Sequence, residues 1–262
     1  MNFLNARATI TVMNTTWLEL DGTANARVVV RDVLLRSDNL QDLSETDVRV
    51  LLEEQKLEAV LDLRTEVEVQ MEGPGPLTRE PAVRIEHRSL YPVMGNTDLD
   101  LEPGTVNPWG TRLADGQHPE ETPVVRAYMR YMNNRPDSIV AAIQTIARAD
   151  GAVLVHCAAG KDRTGMVVAL ALDACLVDRE LIAADYMATA QRIYPLMERL
   201  MKSPTYSAEL AGHDPADHAP VAGTLERVFE LIDQNFGGTV AWLSAHGFTG
   251  EDLMLLRGRL RR

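Results

Sequence analysis

Residues 152–176 fix the architecture more tightly than any other stretch of the chain. Ala152-Val153-Leu154-Val155-His156 is apolar without alternation, the pattern of a strand buried on both faces. Met166 to Leu176 is an apolar run of helical length, and the polar stretch Cys157 to Gly165 joins the two. Elsewhere too, strands alternate with helices, which implies a parallel sheet covered on both sides. Residues 17–38 read as extended, with a turn at Asp21-Gly22. Ser44-Glu45-Thr46-Asp47 resembles a capping box opening a helix that carries Val48, Leu51 and Leu52 at helical spacing. Ala59 to Leu63 and Val83 to Leu90 follow as strands. Further helices are predicted at 122–133 with Pro123 in the first turn, from Asp137 or Ser138 to Gly151, at 164–176, and at 180–201 with an interruption at Pro195. Three more are predicted at 224–235, 239–246 and 251–261, the last capped by Thr249. Residues 92–122 are rich in Pro, Gly and acids without periodicity, so they read as a long loop of the kind that covers or lines a site. The expectation is an α/β fold, a central mainly parallel sheet flanked by helices. It forms one domain over 1–262, with its core at about 17–195 and a helical C-terminal part at about 196–262.

Charge narrows the partners. Lys and Arg total 26 against 38 Asp and Glu, a net charge of −12, which disfavours nucleic acid and broad adhesion to anionic membrane. The longest uninterrupted apolar run, Met166 to Leu172, falls far short of the about 20 residues a membrane span needs, so no stable membrane insertion is expected. Residues 1–20 lack the charged start and apolar core of a secretory signal. Two cysteines, Cys157 and Cys175, make no disulfide framework and suit a reducing, cytoplasmic setting. On a helix from 164, Cys175 sits about 16 Å along the axis. A disulfide needs α-carbons within about 7 Å. Arg257, Arg259, Arg261 and Arg262 read as a solvated helix end. His213 and His218 share no helical face and sit in a Pro-bounded stretch, so no metal is expected.

The chemistry concentrates in His156-Cys157-Ala158-Ala159-Gly160-Lys161-Asp162-Arg163-Thr164-Gly165. Cys157 and Arg163 are separated by five residues. A loop this tight at a helix N-terminus points successive amides inward, and the helix dipole adds positive potential. Arg163 offers a planar fork that holds two phosphoryl oxygens at once. The same field favours a thiolate at the base of the loop, which makes Cys157 a candidate nucleophile rather than a small core residue. A nucleotide-binding loop is the wrong reading of Gly160-Lys161: Val155 stands where its first Gly is needed, and Asp162 follows the Lys. A sulfur-carrier loop has no need of both Asp162 and Thr164.

His156 to Gly165 resembles the signature loop of cysteine-dependent protein tyrosine phosphatases, in the form found in the bacterial atypical tyrosine and phosphoinositide phosphatases. Leu35 to Leu40, Leu43-Ser44 and Val60 to Glu66 resemble that family's N-terminal half, and Asn25-Ala26-Arg27 stands where it has Asn-Phe-Arg. The Gly pair that usually follows this element is missing here. The resemblance implies the fold of that family and a phosphomonoesterase acting on phosphotyrosine, with phosphoinositides as further substrates, through a cysteinyl-phosphate and without a cofactor. It implies Cys157, Arg163 and Asp162 as catalytic residues. Ala158, Ala159, Gly160, Lys161 and Thr164 would bind substrate, and His156 would support the loop. Thr164 would also donate a hydrogen bond to the departing sulfur. Lys161 would meet a second phosphate. Arg64 and Glu66 would form an ion pair nearby. The general acid is placed on Asp162, with Asp98, Asp100 and Asp115 of the long loop as competing sources. An inositol-polyphosphate phosphatase and a non-catalytic phosphate-binding module are the alternative functions.

Overall fold

The computed structural model describes residues 15–92 and 120–261. In chain order the strands are β1 (Thr16–Trp17), β2 (Arg27–Val30), β3 (Leu34–Ser37), β4 (Leu57–Asp62), β5 (Arg84–His87) and β6 (Ala152–His156). They form one sheet in the order β1-β2-β3-β6-β4-β5. The first two pairings are antiparallel and the remaining three parallel, so the sheet is mainly parallel as the sequence predicts. The helices are α1 (Glu45–Arg49), α2 (Glu66–Glu72), α3 (Pro123–Asn134), α4 (Pro136–Arg148), α5 (Asp162–Ala174) and α6 (Arg179–Ala188). There follow α7 (Ile193–Lys202), α8 (Ser207–Leu210), α9 (Thr224–Phe236), α10 (Thr239–Ala245) and α11 (Gly250–Leu260).

Alternation along the central strands divides the core. Val153 and Val155 pack with Leu34, Ala59 and Leu61 against α3, α4, α5 and the C-terminal helices. Ala152 and Leu154 point to the other face and pack with Leu35, Val60, Val48 and Leu51. Helix α5 is the most deeply set: Met166, Val167, Leu170 and Leu172 are fully buried. Truncating one of them to Ala would cost about 2–5 kcal/mol.

Three local expectations are corrected. Helix α4 begins at Pro136, not at Asp137 or Ser138, and has no side-chain cap. The Arg135 guanidinium takes both candidate caps, donating to Asp137 Oδ1 at 3.0 Å and to Ser138 Oγ at 2.5 Å. Pro136 needs no amide partner at the first helical position. The break between α6 and α7 is a tight turn at Thr189–Arg192, ahead of Pro195, which falls in the first turn of α7 where a missing N–H costs nothing. The C-terminal arginines are solvated only in part: Arg261 is exposed and Arg257 half-buried, yet Arg257, Arg259 and Arg261 are docked on backbone carbonyls. Arg257 donates to the Ala174 carbonyl at 3.0 Å, Arg261 to Cys175 at 2.9 Å and Arg259 to Gly151 at 2.6 Å. Arg257 and Arg261 cap the carbonyl end of α5, where its dipole favours cations, and Arg259 ties α11 to the turn ahead of β6. Arg262 lies outside the described residues.

Register brings the site together. His156 is level with Ser37 on β3 and with Asp62 on β4. The chain segments after all three strands therefore emerge side by side at the carboxyl edge of the sheet, the usual place for a site in such folds.

Candidate active site

The loop from Cys157 to Lys161 turns tightly against β3. Gly160 has φ +64°, and a Cβ there would lie 2.2 Å from the Ser37 carbonyl oxygen, so only glycine fits. Asn39 N–H donates to the Ala158 carbonyl at 2.9 Å. Ala158 and Ala159 are buried against Ile193, Leu196 and Met197 of α7. Helix α5 starts at Asp162, two residues earlier than the sequence predicts, and no side chain caps it. Helices α1, α2 and α11, by contrast, all carry full capping boxes, at Ser44, Thr65 and Thr249. The Lys161 side chain at the N-cap accepts from none of these amides, which suits an anion at the helix N-terminus.

Arg163 is held from behind by Glu68. Its Nη1 and Nη2 donate to the two carboxylate oxygens at 2.7 and 2.9 Å, and both side chains are 1% exposed. Glu68 is the third residue of α2, where it also accepts from Thr65 N–H at 2.7 Å, and Tyr206 Oη donates to it at 3.1 Å. Burial raises the Glu68 pKa, but the Arg163 charge and hydrogen bonds outweigh it and hold the carboxyl below its usual range. Burial likewise opposes the Arg163 cation, and the charges of Glu68 and Cys157 more than restore it. The Tyr91 ring centroid lies 5.6 Å from the guanidinium. The predicted Arg64–Glu66 pair is not formed. Arg64 pairs with Asp62 at 2.6 Å, two residues back along the same strand end, and Glu66 is exposed.

Asp162 faces a wall of tyrosines. Tyr128 Oη on α3 and Tyr186 Oη on α6 both donate to its Oδ1, at 3.2 and 3.4 Å. Burial, then the Asp162 charge, pushes both phenols up, so they remain neutral donors. Lys161 Nζ is 3.5 Å from Asp162 Oδ2 and donates to the His218 carbonyl at 2.6 Å. The Thr164 hydroxyl is buried and makes no hydrogen bond among the described residues, so the expected donation to the Cys157 sulfur is not made here. His156 Nδ1 lies 3.2 Å from the Cys157 carbonyl oxygen, which can only accept, so Nδ1 carries the proton. Burial lowers the His156 pKa to about 4, despite Asp62 nearby, so the ring is neutral at pH 7.

Beside the loop lies a cavity of about 140 Å³, lined by Ala159, Lys161, Asp162, Met197, Leu200, Tyr206, Leu210 and His218. Residues between 203 and 223 therefore form one wall of the approach to the site. Among the described residues no group of His, Cys, Asp and Glu is arranged to hold a metal ion. No described helix is long and apolar enough to cross a membrane. Asp98, Asp100 and Asp115 lie outside the described residues, as does most of the 92–122 stretch.

The role of Glu68 was missed in the sequence, as was the meeting of Tyr128 and Tyr186 at Asp162. Thr65-x-x-Glu68 is readable as a capping box, but nothing local shows that the same carboxylate also grips a guanidinium 95 residues away. The assembled parts are a thiol, a clamped guanidinium, uncapped helix amides and a carboxylate. Together they can bind a tetrahedral dianion and displace a group from it.

A model of the tyrosine phosphatase family matches residues 19–262. The triple specificity protein phosphatase PtpB of Mycobacterium tuberculosis is 31% identical over 194 residues, covering 68% of this chain and 69% of that protein. A tyrosine-protein phosphatase of Nostoc commune is 27% identical over 248 residues, 90% of this chain and 76% of that one. Among solved structures, the core catalytic domain of the PP-IP phosphatase SIW14 from S. cerevisiae, in complex with citrate, aligns over 87% of this chain and 98% of its own. Its identity is 14% and its TM-score 0.46.

Proposed function

The chain belongs to the tyrosine phosphatase family, and from that premise we propose that it hydrolyses phosphotyrosine and phosphoinositide monoesters with Cys157 as the nucleophile. The observation that carries this reading is Arg163 clamped on Glu68 beside Cys157, at the uncapped N-terminus of α5. The Cys157 thiolate attacks phosphorus, forming an S–P bond as the P–O bond to the leaving group breaks. Asp162 gives its proton to the leaving oxygen. The resulting carboxylate then takes a proton from water, whose oxygen attacks phosphorus and releases inorganic phosphate and the thiolate. Arg163 and the loop amides hold the equatorial oxygens throughout. The placement of Asp162 inside the loop supports it as the acid.

Inositides enter the reading through Lys161. Its ammonium group is bound to a backbone carbonyl and lies near Asp162, so it can exchange a neutral partner for a second phosphate. The name of the mycobacterial relative, a triple specificity phosphatase, is in keeping with a site open to more than one phosphoester class.

The test is a substrate panel of phosphotyrosine peptide, phosphatidylinositol phosphates and phytate, with Cys157→Ser as the blank. Turnover of the first two well above phytate, and none by Cys157→Ser, is expected. Preference for phytate would favour the inositol-polyphosphate alternative. Binding of every substrate without turnover would make the protein a phosphate-binding module.

A further inference from the structure

Taking residues 157–163 as the phosphate cradle, as the proposed function does, we propose that Asn25 and Arg36 are positioning residues that aim the cradle's amides. They do so by holding three consecutive carbonyls away from the phosphate. Asn25 Nδ2 donates to the Ala159 carbonyl at 2.8 Å. Arg36 Nη2 donates to the Gly160 carbonyl at 2.7 Å and to the Lys161 carbonyl at 3.2 Å. Together with Asn39 N–H on Ala158, every carbonyl from 158 to 161 has a donor outside the cradle. No described peptide bond is cis, and in a planar trans peptide the N–H of the next residue points opposite to the carbonyl. Anchoring these four carbonyls therefore turns the N–H groups of Ala159, Gly160, Lys161 and Asp162 to the opposite edge, as a phosphoryl site needs.

The donors are themselves braced. Arg27 Nη1 donates to Asn25 Oδ1, which leaves Asn25 Nδ2 for the loop. Asp185 of α6 accepts from Arg27 Nε through Oδ1 at 3.0 Å and from Arg36 Nη1 through Oδ2. Asn25, Arg27 and Arg36 are at most 1% exposed. Two guanidinium groups share one carboxylate, so a positive charge remains next to the loop carbonyls. Such a brace fixes the amides before substrate arrives, so little reorganisation is left for the reaction itself.

The test uses the full chain with Asn25→Asp and Arg36→Lys. Asn25→Asp keeps the acceptor for Arg27 and replaces the donor that holds Ala159. Arg36→Lys keeps the charge but cannot span Asp185 and two carbonyls. The readouts are thermal midpoint, KM and kcat for an aryl phosphate, and inhibition by orthovanadate, whose five-coordinate adduct mimics the transition state. The expected result is a fall in kcat of about 10–100-fold, below the loss from deleting an oxyanion donor outright. Vanadate inhibition should weaken in parallel while KM changes little. Folded variants with a lower thermal midpoint but wild-type kcat and vanadate inhibition would overturn the proposal, leaving the network only a scaffold. If neither variant folds, the wild-type amide signals of Ala159 to Asp162 decide by NMR: they must move on vanadate binding, and fixed signals overturn it. A wild-type enzyme inactive on aryl phosphate would instead overturn the phosphatase reading itself.

Discussion

Glu68 is the residue on which the geometry of Arg163 turns. Its carboxylate occupies one edge of the guanidinium, caps α2 and accepts from Tyr206, so three elements meet at one buried anion. Glu68→Gln keeps the shape but leaves one acceptor oxygen for two guanidinium N–H groups. We expect kcat/KM for an aryl phosphate to fall about 10²-fold, the scale of an ångström-size misplacement of a catalytic group. Steady-state kinetics on folded variant would check this, and unchanged kcat/KM would mean that Arg163 is oriented by something else. Cys157, Arg163 and Asp162 were legible because they lie within seven residues of one another, in a spacing that serves a single chemical purpose. Glu68, Asn25 and Arg36 were not. Their partners are 95 to 134 residues away, and pairing over such a distance leaves no local pattern.

At the scale of elements, capping residues were the most readable signals. Ser44 with Asp47 and Thr249 with Asp252 form the capping boxes that the sequence predicts. The start of α4 and the docking of the C-terminal arginines were misread for one reason: a long guanidinium reached a distant or competing acceptor. Asp252 shows how the last helix is tied down. Buried at 0% exposure, it accepts from Thr249 N–H, from Gln144 of α4 at 3.0 Å and from Arg148 Nε at 2.9 Å. Asp252→Ala removes a cap and the tether to α4, and we expect a loss of about 1–2 kcal/mol. In a chain of this size that lowers the thermal midpoint by about 2–8 °C. Turnover per folded molecule should hold, since the side-chain partners of Asp252 are Thr249, Gln144 and Arg148 and none is a residue of the loop. An unchanged midpoint would show that α11 is not anchored there.

Over the whole molecule, a net charge of −12 surrounds a site where Arg27, Arg36, Arg64 and Arg163 are all buried. The mainly parallel sheet was legible from strands alternating with helices, whereas the strand order that gathers these cations was not. The tyrosine wall around Asp162 was not legible either, because nothing local shows that Tyr128 and Tyr186, 34 and 24 residues from Asp162, meet at its carboxylate. The buried, neutral His156 ties stability to pH. Its pKa falls from 6.5 to about 4 on folding, so between these values the unfolded chain binds more protons and stability rises with pH. The contribution is complete above about pH 6.5 and is lost as pH falls toward 4. At pH 5 it has shrunk by about 2 kcal/mol. Urea midpoints at pH 7 and pH 5 should therefore differ less in His156→Gln than in the wild type. An equal drop in both would remove His156 as a source.

The central claim is that Cys157 carries the phosphoryl group between two half-reactions. Rapid-quench mixing of enzyme with an excess of aryl phosphate, followed by peptide mass analysis, tests it directly. The account predicts one phosphoryl group on the peptide containing Cys157, formed within the first turnover, together with an early burst of phenol and no label on Cys175, whose thiol burial pushes up to about 12. Steady turnover with Cys157 never phosphorylated, or with phosphate on another residue, would contradict it.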